Sequence, residues 1–262
     1  MKLFFREMGE GEPLLVIHGL LGSSDNWLSV GKKLAAHHHV YLLDMRNHGK
    51  SPHHPSFTYG DMVQDVLEFM SDLSLSKANF IGHSMGGKVV MTLALQYPLK
   101  IAKAVVADMA PKPVSNPFFP ILFSAMEAID PSKIHSRKEA EKLLANSIDN
   151  PVIRGFIIKN LERLPEGGFR WRINLGVIKQ HLEHIAMYVP EGDPYPGEIL
   201  FVAGGKSDYI REEDQPLFQK YFPAARVVRI PEAGHWVHFD APEKFIQLVT
   251  NFLNGEIKDS SN

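Results

Sequence analysis

There is no cysteine anywhere in the 262 residues. Disulfide staples, thiolate nucleophiles and cysteine-based metal sites are excluded by that alone. An excess of charge is also missing: 28 Lys and Arg stand against 30 Asp and Glu, a formal net charge of −2. Such a balance supplies no basic field for nucleic acid or for an anionic lipid surface. No apolar run approaches the roughly 18 residues that a membrane span needs. At the N-terminus, Phe4 and Phe5 are followed at once by Arg6 and Glu7, so the apolar stretch of an export signal does not form. The expectation is a cytoplasmic protein that acts on a small molecule, with neither nucleic acid nor membrane as partner. Oligomeric state is not legible.

What is present is ordinary and sufficient. With 44% hydrophobic and 22% charged residues, the chain can bury one large core, or a core plus an insertion. Short, continuous apolar runs at Leu14–Ile17, Val40–Leu43, Ala104–Ala107 and Ile199–Ala203 read as strands buried on both faces. Apolar residues at helical spacing separate them, as at Met62, Val66, Phe69, Met70 and Leu73. Strands alternating with helices predict an α/β architecture, a mostly parallel sheet covered on both sides. Between about Pro111 and Pro196 the strand signal stops and only helical segments are expected, capped at Ser136, at Asn150 before Pro151 and at Asn174. An all-helical stretch inside such a pattern reads as a lid over the strand ends. The expected division is therefore a core of residues 1–110 and 197–262 with a helical lid of 111–196. The polar tail from Gly255 is expected to fray.

The chain is organised around Asn79-Phe-Ile-Gly-His-Ser-Met-Gly-Gly-Lys-Val-Val90. An apolar run ends at Gly82, Ser84 sits between two glycines, and a helical pattern follows: strand, sharp turn, helix, with a hydroxyl at the apex. In such a nucleophile elbow the residues two before and two after the serine crowd each other, so Gly82 and Gly86 have a steric reason to lack side chains.

A serine nucleophile needs a base, an acid that orients the base, and donors for the oxyanion. In this architecture the base lies near the C-terminal end, which points to His235 in a Gly-His loop; His238, three residues on, reads as structural. Two backbone N–H groups are expected as oxyanion donors, those of Met85 after the nucleophile and Leu20 in the His18-Gly19 loop. For the acid, Asp44 shares its loop with Arg46, which suggests an ion pair between them. Asp108 and Asp208 both follow later strands and both remain open. His37-His-His39 alternates faces before a strand and suggests no metal site, and neither metal nor cofactor is expected.

His18-Gly-Leu-Leu-Gly, Asp44-Met-Arg-Asn-His-Gly-x-Ser, Gly82-His-Ser-Met-Gly-Gly-Lys, Asp108-Met-Ala-Pro and Gly234-His-Trp-Val-His together resemble the α/β-hydrolase superfamily. Within it they are similar to the small bacterial esterases of the YbfF type, related to mammalian abhydrolase-domain proteins. The resemblance runs from about Leu14 to Phe252 and is weakest across the lid. It implies a Ser–His–Asp carboxylesterase for short acyl esters, which passes through an acyl-enzyme on Ser84. It also implies that Asp108, after the sixth strand of the family, is the acid, with Ser207 as a second partner for the histidine. Acyl-CoA thioesterase and carbon–carbon hydrolase chemistry share the fold, as do small-molecule receptors that barely turn over; fold alone does not choose among them. Of the lid aromatics Phe118, Phe119, Phe123 and Trp171, helical spacing predicts lid core rather than substrate contact.

Overall fold

The computed structural model describes residues 1–256, so most of the expected frayed tail lies outside the described residues. Seven strands form one sheet in the order β1-β3-β2-β4-β5-β8-β9. They are β1 (Phe5–Met8), β2 (Glu12–Ile17), β3 (His38–Leu43), β4 (Ala78–His83), β5 (Ile101–Ala107), β8 (Ile199–Gly204) and β9 (Ala225–Ile230). Only the edge strand β1 runs antiparallel; every other pairing is parallel.

Alternation along the strands splits the core in two. Leu15, Ile17, Phe80, Val106 and Phe201 face one side, packed with α2 (Tyr59–Asp72) and α3 (Met85–Gln96). Leu14, Val16, Ile81, Val105 and Leu200 face the other, covered by α1 (Leu28–Leu34) and α11 (Pro242–Leu253). Both faces are buried, which is why the strands read as unbroken apolar runs. Helix α3 is buried almost all round, as expected of a helix wedged between a sheet and further layers.

Register brings the strand ends level. Ile17 pairs with Gly82, His83 with Ala107, and Ala107 with Val202. The next residue along each strand therefore emerges at one common edge, where ligands of parallel sheets bind.

Between β5 and β8 lies an inserted segment built from α4 (Phe118–Glu127), α5 (Arg137–Leu144), α6 (Pro151–Ile158), β6 (Leu161–Arg163), β7 (Phe169–Trp171), α7 (Leu175–Gln180) and α8 (Leu182–Met187). It is not all helix. Strands β6 and β7 make an antiparallel hairpin, turned by Gly167 and Gly168 at φ 100° and 71°. Asn150 caps α6 as expected by accepting from the Val152 N–H (2.9 Å). Asn174 supplies no side-chain cap, and the helix expected after it is broken in two at His181. The remaining helices are α9 (Gln215–Tyr221) and the short α10 (Val237–Asp240) before α11.

Candidate active site

Ser84 joins β4 to α3 in a backbone conformation costly for a residue with a side chain, φ 52° and ψ −113°. Such strain persists only where the surroundings over-determine it. The crowding is measurable. A Cβ on Gly82 would stand 2.3 Å from the Gly86 carbonyl oxygen, as the elbow pattern predicts. A Cβ on Gly86 would instead strike the Ile17 carbonyl oxygen at 2.3 Å, so that glycine answers to β2 rather than to Gly82.

At the same edge, the Ser84 hydroxyl donates to His235 Nε2 (3.0 Å), and His235 Nδ1–H donates to Asp108 Oδ2 (2.7 Å). Asp108 is fully buried and has φ 48°. Its backbone N–H reaches the Val202 oxygen (2.9 Å), and its Oδ1 accepts from the Gly204 N–H (2.9 Å). The Ser207 hydroxyl donates to Oδ2, the same oxygen that receives His235. Asp208 is elsewhere: its side chain is 86% exposed and pairs with Arg211. Between the two aspartates left open by spacing, only Asp108 contacts the histidine.

His235 is held at its ring and at its backbone. The Tyr209 ring stacks on it at 3.8 Å, and His83 Nε2–H donates to its backbone oxygen (2.9 Å). Neither contact has a signal in the sequence. His83 is the variable position of the elbow pattern, so nothing in the pattern marks it. His238 is structural, stacked on Trp27 at 4.0 Å and 7°. Burial lowers its pKa to about 3.

The residues expected to supply the oxyanion donors, Leu20 and Met85, border one space together with Ser84. Met85 begins α3, where the first N–H groups of a helix lack intrahelical acceptors. Leu20 sits in a loop fixed by two buried histidines. His18 Nδ1–H donates to the Gly19 oxygen (2.8 Å), and its Nε2 accepts from the Met45 N–H (3.0 Å). His48 Nδ1–H donates to the Arg46 oxygen (2.9 Å), and its Nε2 accepts from the Leu21 N–H (3.1 Å). These partners fix both tautomers, and burial lowers the two pKa values to about 4 and about 3, so the rings are neutral. Among the described residues no acceptor takes the N–H of Leu20 or of Met85.

The expected Asp44–Arg46 pair does not form. Arg46 bonds Asp65, Nε to Oδ2 at 2.6 Å. Asp44 instead accepts from the backbone N–H groups of Ser24 (2.6 Å) and Lys50 (2.8 Å), tying two loops of the site edge together. Lys88, on α3 and also buried, donates to the Tyr188 oxygen (2.6 Å) and so ties the elbow helix to the end of the inserted segment. Desolvation lowers its pKa to about 8.

A cavity of about 410 Å³ opens onto Ser84 and His235, walled by Trp27, Phe118, Phe119, Phe156 and Trp236. Of the four aromatics expected as lid core, Phe118 and Phe119 thus face the cavity, whereas Phe123 is fully buried and Trp171 packs against the core. The cavity is concave, mostly apolar and supplied with a few convergent polar groups, the usual form of a small-molecule site.

A sequence profile described as alpha/beta hydrolase fold matches residues 12–132. The chain is 40% identical to the sn-1-specific diacylglycerol lipase ABHD11 of Danio rerio, over 95% of this chain and 80% of that one. It is 34% identical to esterase YbfF of Escherichia coli, over 92% and 93%. Among solved structures, a marine microorganism esterase superposes with a TM-score of 0.93 at 43% identity, covering 96% of this chain and 99% of the other.

Proposed function

The chain belongs to the α/β-hydrolase family, as a relative of the YbfF-type esterases, and on that premise we propose that Ser84, His235 and Asp108 are its catalytic triad. The enzyme is a serine ester hydrolase. The reading of the residues rests above all on the continuous relay from the Ser84 hydroxyl through His235 to Asp108, at 3.0 and 2.7 Å.

Ser84 Oγ attacks the ester carbonyl as His235 Nε2 takes its proton. The carbonyl oxygen becomes an oxyanion between the N–H groups of Leu20 and Met85, worth about 10²–10³ in kcat per donor in comparable sites. Asp108 holds His235 in the tautomer with Nε2 free and stabilises the imidazolium that forms. Ser207 and the Gly204 N–H in turn hold Asp108. The histidine then gives the proton to the leaving alcohol, and water releases the acid from the acyl-enzyme by the same steps. Residues 111–196 act as a cap that excludes water from this chemistry. Short acyl esters are the substrates.

Hydrolysis of p-nitrophenyl butyrate by the wild type beside Ser84→Ala tests the reading. Turnover that disappears with the hydroxyl supports it, and equal turnover in both proteins refutes it.

A further inference from the structure

Two spaces of unequal size meet at Ser84. The larger, of about 410 Å³, is bordered by His235 and Trp236 and reaches Trp27, Val152, Ile153 and Phe156. The smaller, of about 30 Å³, is bordered by Ser84, Met85 and Leu20, together with Met109, Val114 and Leu182. His235 borders the large space and not the small one.

The chemistry assigns an occupant to each. When the tetrahedral intermediate collapses, the bond from carbon to the alcohol oxygen breaks, and that oxygen takes the proton that His235 Nε2 holds. It must therefore lie within about 3 Å of the imidazole. The alcohol then extends along the side that His235 borders. The acyl carbon stays bonded to Ser84 with its oxygen at the Leu20 and Met85 N–H groups, so its chain leaves on the other side. One water needs about 10–15 Å³ of cavity, which makes the smaller space fit for an acetyl or propionyl tail and little more.

We propose that the enzyme takes esters of a very short acyl group with a bulky apolar alcohol, the acyl tail in the small space and the alcohol in the large one. Phe119 is the dividing wall. Leu20, Ser84, Tyr209 and Phe119 border both spaces. The first two are engaged with the reacting carbonyl and Tyr209 is stacked on His235, which leaves the Phe119 ring, on α4, as the movable partition. This rests on Ser84 being the nucleophile.

The test measures kcat/KM for two ester series of similar alcohol acidity. In one, 2-phenylethanol carries acetyl, butanoyl or octanoyl; in the other, acetate is joined to ethanol or 2-phenylethanol. A misfit of one or a few methylenes is worth about tenfold or more, so acetate should exceed octanoate by at least that factor, and 2-phenylethyl acetate should exceed ethyl acetate similarly. Phe119→Ala should narrow the acetate-to-octanoate ratio, with Phe119→Leu as the smaller change should the first variant fail to fold. A wild type that prefers octanoate, or handles both acetates alike, overturns the assignment of the spaces. An unchanged acyl ratio in the Phe119 variants overturns the wall. Ser84→Ala run on 2-phenylethyl acetate separates these failures from failure of the nucleophile: only undiminished turnover there tells against Ser84.

Discussion

His48 Nε2 accepts a hydrogen bond from the backbone N–H of Leu21 at 3.1 Å. Leu21 has φ 61°, and this bond helps to hold a left-handed residue directly after the proposed oxyanion donor Leu20. On that proposal His48 positions the loop that carries the donor, though it touches no reacting atom. His48→Ala should lower kcat by about 10–100-fold, short of or equal to the loss of a whole donor. KM should stay within a few-fold, because the ground-state carbonyl gains little from the donors. An unchanged kcat in a folded variant would show that the loop holds without it.

The two aspartates separate on the bench as they do in space. Asp108→Asn should cost about 10⁴ in kcat, because the amide would favour the wrong imidazole tautomer. Asp208→Asn, at an exposed side chain, should leave kcat within about twofold, since surface changes away from a site do little. Steady-state kinetics on one ester decides both.

Packing sets a further expectation at the elbow. Gly82→Ala drives a methyl to 2.3 Å from a backbone oxygen, and overpacking of this kind costs about 1–3 kcal/mol. Urea unfolding should show that loss, with esterase activity falling further than stability because the elbow itself must shift.

Acid should destabilise the fold through its buried histidines. His18, His48 and His238 are held neutral by burial, with pKa values near 4, 3 and 3 against an ordinary 6.5. Below about 6.5 the unfolded chain binds protons that the folded chain refuses, so stability falls with falling pH, each group adding a slope of up to about 1.4 kcal/mol per pH unit. The loss begins near 6.5 and levels off once the folded values are passed. Urea midpoints at pH 8, 6, 5 and 4 should decline in that order. Equal midpoints at pH 8 and 5 would contradict it.

The fold was legible wherever burial was two-sided. Strands β2, β3, β5 and β8 are apolar runs because helices cover both faces, and the elbow announces itself through glycines that sterics require. Strands β6 and β7 were missed for the opposite reason. Leu161-Glu-Arg163 and Phe169-Arg-Trp171 are too short to show a period of two; the signal that remained was Gly167-Gly168 at the turn. The break between α7 and α8 leaves no mark in composition. Motif and order point to Ser84 and His235, whereas spacing leaves Asp108 and Asp208 open, because both follow strands; it is the resemblance to the YbfF-type esterases that points to Asp108, and the contact with His235 agrees with it. His83 and Tyr209 act on His235 through contacts between residues far apart in sequence, which no local pattern records.

In the proposed mechanism Ser84 is the covalent nucleophile. The direct measurement is intact-protein and peptide mass spectrometry after treatment with diethyl p-nitrophenyl phosphate, which phosphorylates activated serines. One diethylphosphoryl group per chain is expected, on the peptide carrying Ser84, with esterase activity lost in step and no adduct on Ser84→Ala. An adduct on another residue, or activity that survives full modification of Ser84, would contradict it.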